Sequence, residues 1–197
     1  EEVVLNDAGT RLRAYFGAGR AIPGSPLAAI GYVGDTRVAG AALSHPLIRS
    51  RPLNLTLSAA LDAFESTVEA RDAPGFARTR QSRDAVRALR LGAEVSALDG
   101  ALGFAPAAGV TTAALRLHRG LESFGASDGD SGRTARRGSD FGFTRLTAEV
   151  SRLQPLLVPA EGWMLAAQGI LAGQWSDDVL PPAEKFFLGG NRLGRGF

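Results

Sequence analysis

Residues 53–63 read LNLTLSAALDA, with Leu53, Leu55, Leu57, Ala59, Leu61 and Ala63 alternating against Asn54, Thr56, Ser58 and Asp62. A period of two sorts these side chains onto opposite faces of a strand, whereas the 3.6-residue period of a helix would scatter them. The same pattern sets Leu89, Leu91, Ala93, Val95 and Ala97 against Arg90, Gly92, Glu94 and Ser96. It recurs in Ala113, Leu115 and Leu117 against Thr112, Arg116, His118 and Gly120, and in Leu146, Ala148 and Val150 against Arg145, Thr147, Glu149 and Ser151. Near the start, Leu12, Ala14, Phe16 and Ala18 oppose Arg11, Arg13, Tyr15 and Gly17. A segment around residues 37–45 is too rich in Ala and Gly for its faces to be assigned.

A seventh strand, from Trp163 to Trp175, carries a tryptophan at each end of one face, with Leu165, Ala167, Gly169, Leu171 and Gly173 between them. At ~3.3 Å per residue and ~45° tilt the two rings differ in height by roughly 28 Å, close to the ~25 Å apolar band between the aromatic girdles of a membrane barrel. Two core tryptophans of a soluble sheet would give the same spacing.

Composition narrows the solvent and the partners. Hydrophobic residues make up 45% of the 197, yet no stretch approaches the ~20 consecutive apolar residues of a membrane helix, so any crossing falls to strands. Lys185 is the only lysine, and arginines are interspersed with acids to a net charge of +2, which leaves no continuous basic stripe for nucleic acid. Without cysteine there is neither a disulfide nor a thiolate metal site. His45 and His118 have no neighbours at metal-ligand spacing, and Asp128-Gly129-Asp130 lacks the remaining positions of a calcium loop, so no metal is expected. No phosphate-binding loop and no GxSxG elbow occur, and neither an enzyme nor a cofactor is expected.

Connections differ in character along the chain. Residues 48–52 (IRSRP) and 154–162 (QPLLVPAEG) are short or proline-marked, whereas residues 65–84 and 124–140 are long, charged and rich in Gly, Ser and Arg. Short turns on one side and long polar loops on the other is the asymmetry of bacterial outer-membrane barrels, and by that parity the strand ending at Trp175 runs outward. The chain opens on EEVVLNDAGT, without the charged start and apolar run of a signal peptide, and closes on RGF. Seven strands do not close an even-stranded barrel, and open edges in lipid cost several kcal/mol per unpaired backbone group. The expectation is a piece of a longer protein.

Three stretches carry a family resemblance: SHPLIRSR at 44–51, RLHRGLESFGAS at 116–127 and LPPAEKFFLGGNRLGRGF at 180–197. In the last, Glu184, Phe186, Leu188, Gly189, Gly190, Arg195, Gly196 and Phe197 fall at the spacings of the arginine-glycine-aromatic loop inside one superfamily of outer-membrane barrels. With these stretches the chain resembles the two-partner secretion transporters, the haemolysin secretion/activation family. Gly194 stands where the family usually has a β-branched residue, and His45 where it usually has an aromatic.

The resemblance implies an all-β fold, an antiparallel transmembrane β-barrel of about sixteen strands in the outer membrane of a Gram-negative bacterium. This chain would supply about seven of those strands. Residues 1–197 would be a partial barrel domain, with 177–197 beginning a loop that folds into the lumen, and POTRA domains and C-terminal strands lying outside. Gly189, Gly190, Arg195, Gly196 and Phe197 would form the plug-loop motif, with Arg195 a latch against an acidic residue of the inner wall. Arg90, Glu94, Arg116, His118 and Glu149 would line the lumen, and Trp163 and Trp175 would stand in the girdles. The partners would be a secreted exoprotein and outer-membrane lipid. Barrel-assembly machines of the superfamily share the RGF loop, but the 44–51 turn and the FGAS loop entry favour secretion. A soluble adhesive or binding β-domain would satisfy the alternation alone.

Overall fold

The computed structural model describes residues 1–25, 30–71, 76–100, 107–129 and 133–187. Gly189, Gly190, Arg195, Gly196 and Phe197 of the motif, and Asp130, lie outside these residues. The described residues form a single antiparallel sheet in which every strand pairs with its successor: β1 (Glu2–Val4), β2 (Arg11–Ala21), β3 (Val33–Arg49), β4 (Leu53–Arg71), β5 (Arg78–Asp99), β6 (Gly109–Gly120), β7 (Thr144–Ala160) and β8 (Trp163–Trp175).

Eight strands replace the seven expected, because three residues at the start pair with Arg11, Leu12 and Arg13. Two connections are shorter than the sequence suggests. Residues 65–84, expected as a long loop, are mostly the outward ends of β4 and β5, which stay paired through Glu65↔Ala85 and Thr67↔Arg83 and, past a register shift between Val68 and Glu69, up to Arg71↔Arg78. Residues 154–162 are mostly the end of β7, with only Glu161 and Gly162 turning. Pro155 is tolerated there because the ladder to β8 shifts register on its far side, between Pro155 and Leu157.

The alternation read from sequence divides the sheet into an apolar and a polar face. Leu57, Leu91, Leu115, Val150 and Leu171 share the first, and these side chains stay open: Leu115 is 51% and Leu171 76% exposed. So much bare aliphatic surface on one face of a sheet is what lipid, rather than water, would cover.

On that face, the first charged residue outward of the apolar run is Arg20 on β2, Arg37 on β3, Glu65 on β4, Arg87 on β5 and Arg119 on β6. The pairings Arg20↔Asp35, Ala63↔Arg87 and Leu89↔Arg119 each put this border two residues lower on the next strand, while Arg37↔Glu65 leaves it level, a descent of six residues in all. From β2 to β6 the descent is about 20 Å along the strands over about 19 Å across them, using ~3.3 Å per residue and ~4.8 Å between strands. The border is therefore level only when the strands tilt by about 45°, the inclination of barrel strands in a membrane.

The polar face has a small apolar roof near its outward end. Val86 and Ala88 of β5 are buried with Phe141, Phe143 and Leu180, and Phe64 packs against them. The chain between β6 and β7 reaches this place by lining the free edge of β5, where the Leu121 N–H donates to Arg87 O, the Ser127 N–H to Ala85 O, and the Arg83 N–H to Arg133 O. Gly120 is required at its base, since a Cβ there would lie 2.1 Å from Phe141 O and 2.8 Å from Phe143 Cδ1.

Neighbouring residues of β6 should respond oppositely to the same charge. Leu115→Arg, on the apolar face, is expected to destabilise the protein inserted in lipid vesicles by about 2–4 kcal/mol, and Ala114→Arg, on the polar face, by under about 1 kcal/mol. Urea unfolding followed by tryptophan fluorescence checks this, and equal losses would deny the division of faces.

Candidate functional site

Past Trp175 the chain turns back over the polar face. Ser176 Oγ donates to Thr144 O at 2.7 Å, Asp178 accepts the Thr144 N–H at 2.6 Å, and the Asp140 N–H donates to Val179 O. Arg136 Nη1 donates to Leu180 O at 3.0 Å. Pro181 then leads into a single 3-10 turn, Pro182–Glu184, whose last residue is 2% exposed. A carboxylate so enclosed requires charged partners.

Two strands supply them, and a third adds a neutral amide. Glu184 Oε1 accepts from Arg90 Nη2 of β5 at 2.7 Å, and Oε2 pairs with Arg145 Nη2 of β7 at 2.8 Å. Arg145 Nη1 donates to the Glu184 backbone carbonyl at 2.7 Å, where Gln174 Nε2 of β8 joins at 3.2 Å. On its other side, Arg90 Nε binds Asp62 of β4. Two carboxylates and two guanidiniums thus sum to zero charge.

His118 of β6 stands between the two arginines. Both Arg90 Nη1 and Arg145 Nη2 donate to its Nδ1, the second at 2.8 Å, and Nε2 lies 3.3 Å from Thr147 Oγ1. Two donors at Nδ1 place the ring proton on Nε2, which makes the imidazole a neutral spacer between like charges. At the β3 side of the cluster Gly40 leaves necessary space: a Cβ there would lie 2.7 Å from Asp62 Oδ1 and 2.5 Å from Tyr15 Oη.

Of the five residues expected to line a lumen, Arg90 and His118 belong to this cluster. Arg116 and Glu94 share their face but form only an exposed pair at 3.5 Å, and Glu149 lies opposite Ala114, further from the returning segment. Trp163 and Trp175 stand at opposite ends of β8 on the apolar face, 72% and 57% exposed. Asp62, Arg145 and Gln174 were not singled out by sequence reasoning. Asp62 and Arg145 carried a signal, as charged residues on the polar sides of alternating strands, but no spacing rule links them to Glu184. Among the described residues no group of three or more His, Cys, Asp or Glu could hold a metal ion. The arrangement neutralises charge and fastens a segment of chain across a wall.

Removing one partner from such a cluster strands the others in a poorly solvated place, at a cost of about 3–5 kcal/mol. Glu184→Ala is expected to release the returning segment, so that a lysine-specific protease cuts after Lys185 several-fold faster, with Glu184→Asp intermediate. Mass spectrometry of the digest locates the cut, and an unchanged rate would mean that the cluster does not hold the segment.

Neither a curated protein nor a solved structure matches the chain. The family model described as haemolysin secretion/activation protein ShlB/FhaC/HecB matches residues 23–197, which takes in all of β3 to β8 and the returning segment. The chain is a β-sheet part of a Gram-negative outer-membrane transporter of two-partner secretion, and it belongs to the haemolysin secretion/activation family.

Proposed function

We propose that this chain forms part of the wall of a pore through which a large partner exoprotein leaves the cell in an extended state. The polar face is the lumen wall, and residues 177–197 are the start of a loop that enters the lumen. The observation that carries this reading is the buried Glu184, held by Arg90 and Arg145 only ten residues before Gly194-Arg195. A segment fastened by its own carboxylate against the polar face delivers the motif to the lumen rather than to the outside.

Within that loop Arg195 acts as a latch. Its guanidinium is permanently charged and presents a planar fork suited to a carboxylate. Gly189, Gly190 and Gly196 allow close approach to the wall, and Phe197 is an apolar anchor. Arg116, Glu94 and Glu149 give the lumen a mixed-charge lining, along which an extended peptide of either sign slides without lasting attachment. Export through this pore uses no nucleotide, and the free energy comes from folding of the exoprotein outside. POTRA domains preceding the barrel select the cargo.

In the intact protein, Arg195→Ala is expected to cut exoprotein release at least tenfold while the barrel still inserts. Immunoblots of the medium measure release, and heat-modifiable migration of the membrane fraction measures insertion. Normal release would remove the latch, and loss of insertion would make Arg195 an assembly residue instead.

A further inference from the structure

The proposed pore gives no role to the arginines at the outward border of the apolar face. Arg20, Arg37, Arg87 and Arg119 are the first charged residues beyond the apolar run on four of the five strands from β2 to β6, and Arg83 follows Arg87 on β5. Their side chains leave the sheet on the same side as Phe16, Leu61 and Leu117. At a strand tilt of about 45° Arg20, Arg37, Arg87 and Arg119 stand at one height, where lipid headgroups begin, and Arg83 lies about 9 Å further out.

Local partners do not balance these charges. Arg20 pairs with Asp35 at 2.7 Å and Arg83 with Glu65 at 2.6 Å. Arg87 donates to the backbone carbonyls of Phe124 and Phe64, and Arg119 donates to Thr144 Oγ1. Among the described residues Arg37, Arg87 and Arg119 are in no ion pair, so even with Glu69 of the same face counted, five arginines face three carboxylates. At the opposite border of the same face, Arg152 is matched by Asp99 through two contacts of 2.8 and 3.0 Å. The excess is confined to the outward side.

The surface there is also concave. A hollow of about 240 Å³ is lined by Arg20, Asp35, Arg37, Glu65 and Thr67. Beside it, a second of about 140 Å³ is lined by Phe16, Val38, Ala39 and Ala63 with Arg37 and Arg87, and by Glu65, whose carboxylate is taken up by Arg83. An apolar floor under two guanidiniums fits the junction between an acyl chain and a phosphate. Arginine rather than lysine suits this ligand, because its fork binds two phosphate oxygens at once.

We infer that this border is a binding site for the phosphate-bearing lipid of the outward leaflet, with Arg37, Arg87 and Arg119 as its phosphate contacts. The lipid seats its acyl chains on the apolar face and its phosphates on the arginine row, which fixes the height of the barrel in the membrane. The inference rests on the family's outer-membrane location and is independent of the Arg195 latch.

The test uses the intact protein in detergent micelles, with bisphosphorylated lipid A as the probe and retention read by native mass spectrometry. Arg37→Gln combined with Arg119→Gln is expected to lower affinity on the order of 10-fold or more, since each basic residue near an anionic surface contributes about 1 kcal/mol. Arg152→Gln, at the opposite border, is expected to leave affinity unchanged. Dephosphorylated lipid A should bind as weakly to the parent protein as lipid A does to the double variant, and millimolar inorganic phosphate should not compete. Equal binding of the dephosphorylated lipid, or undiminished binding by a double variant that keeps its heat-modifiable migration, would overturn the inference. Competition by inorganic phosphate would reduce the site to a free-anion site.

Discussion

Backbone hydrogen bonding is the constraint from which the rest follows. A chain lying against lipid has no water for its N–H and C=O groups, so each strand must satisfy them on its neighbours. The unbroken order from β1 to β8, every pair antiparallel and successive, is the simplest way to do so with short connections. Once strands are fixed side by side, a period of two decides everything else about their side chains. One set meets hydrocarbon and stays aliphatic; the other faces inward and is free to carry charge.

That inward freedom has a cost, which the Glu184 cluster shows how to meet. Two arginines near one another repel, and a carboxylate in an enclosed place loses hydration. Here Asp62, Arg90, Glu184 and Arg145 cancel in sequence across β4, β5, the returning segment and β7, with His118 separating the two cations. The cluster joins residues as distant as Asp62 and Glu184 and makes the position of one depend on the others. Above it, the apolar contacts of Val86 and Ala88 with Phe141, Phe143 and Leu180 seal the outward side. The returning segment is thus held by charge at one point and by burial at another. Two attachments of different kind define its path better than either would alone.

Much of this was legible in the sequence wherever one face of a strand is aliphatic. Residues 53–63 and 89–97 announce themselves because lipid demands Leu, Val and Ala at every second position. The same strands became invisible above the apolar band. From Glu65 to Asp84 the face that is aliphatic further in carries Glu65, Glu69, Arg71 and Arg83 instead, Ser66, Val68 and Ala70 take the other, and the extended hairpin reads as a polar loop. Proline misled at the end of β7, where a register shift beside Pro155 spares the ladder the N–H that proline lacks. β1 is too short to show any period. The ion cluster was half legible: Arg90 and His118 were readable as polar-face residues and Glu184 as part of a motif, but pairing between residues 94 positions apart is a product of register and of a chain reversal. Neither can be read from local pattern.

The central claim is that one face of the sheet meets lipid while the other meets a water-filled lumen crossed by the segment after β8. Single cysteines at Ala113, Ala114, Leu115, Arg116 and Leu117, placed in turn in the intact protein in its native membrane, test it most directly. The account expects a water-soluble maleimide to label positions 114 and 116 and to spare 113, 115 and 117, which a lipid-soluble reagent labels instead. Uniform labelling of all five by the water-soluble reagent, or labelling without alternation, would contradict it.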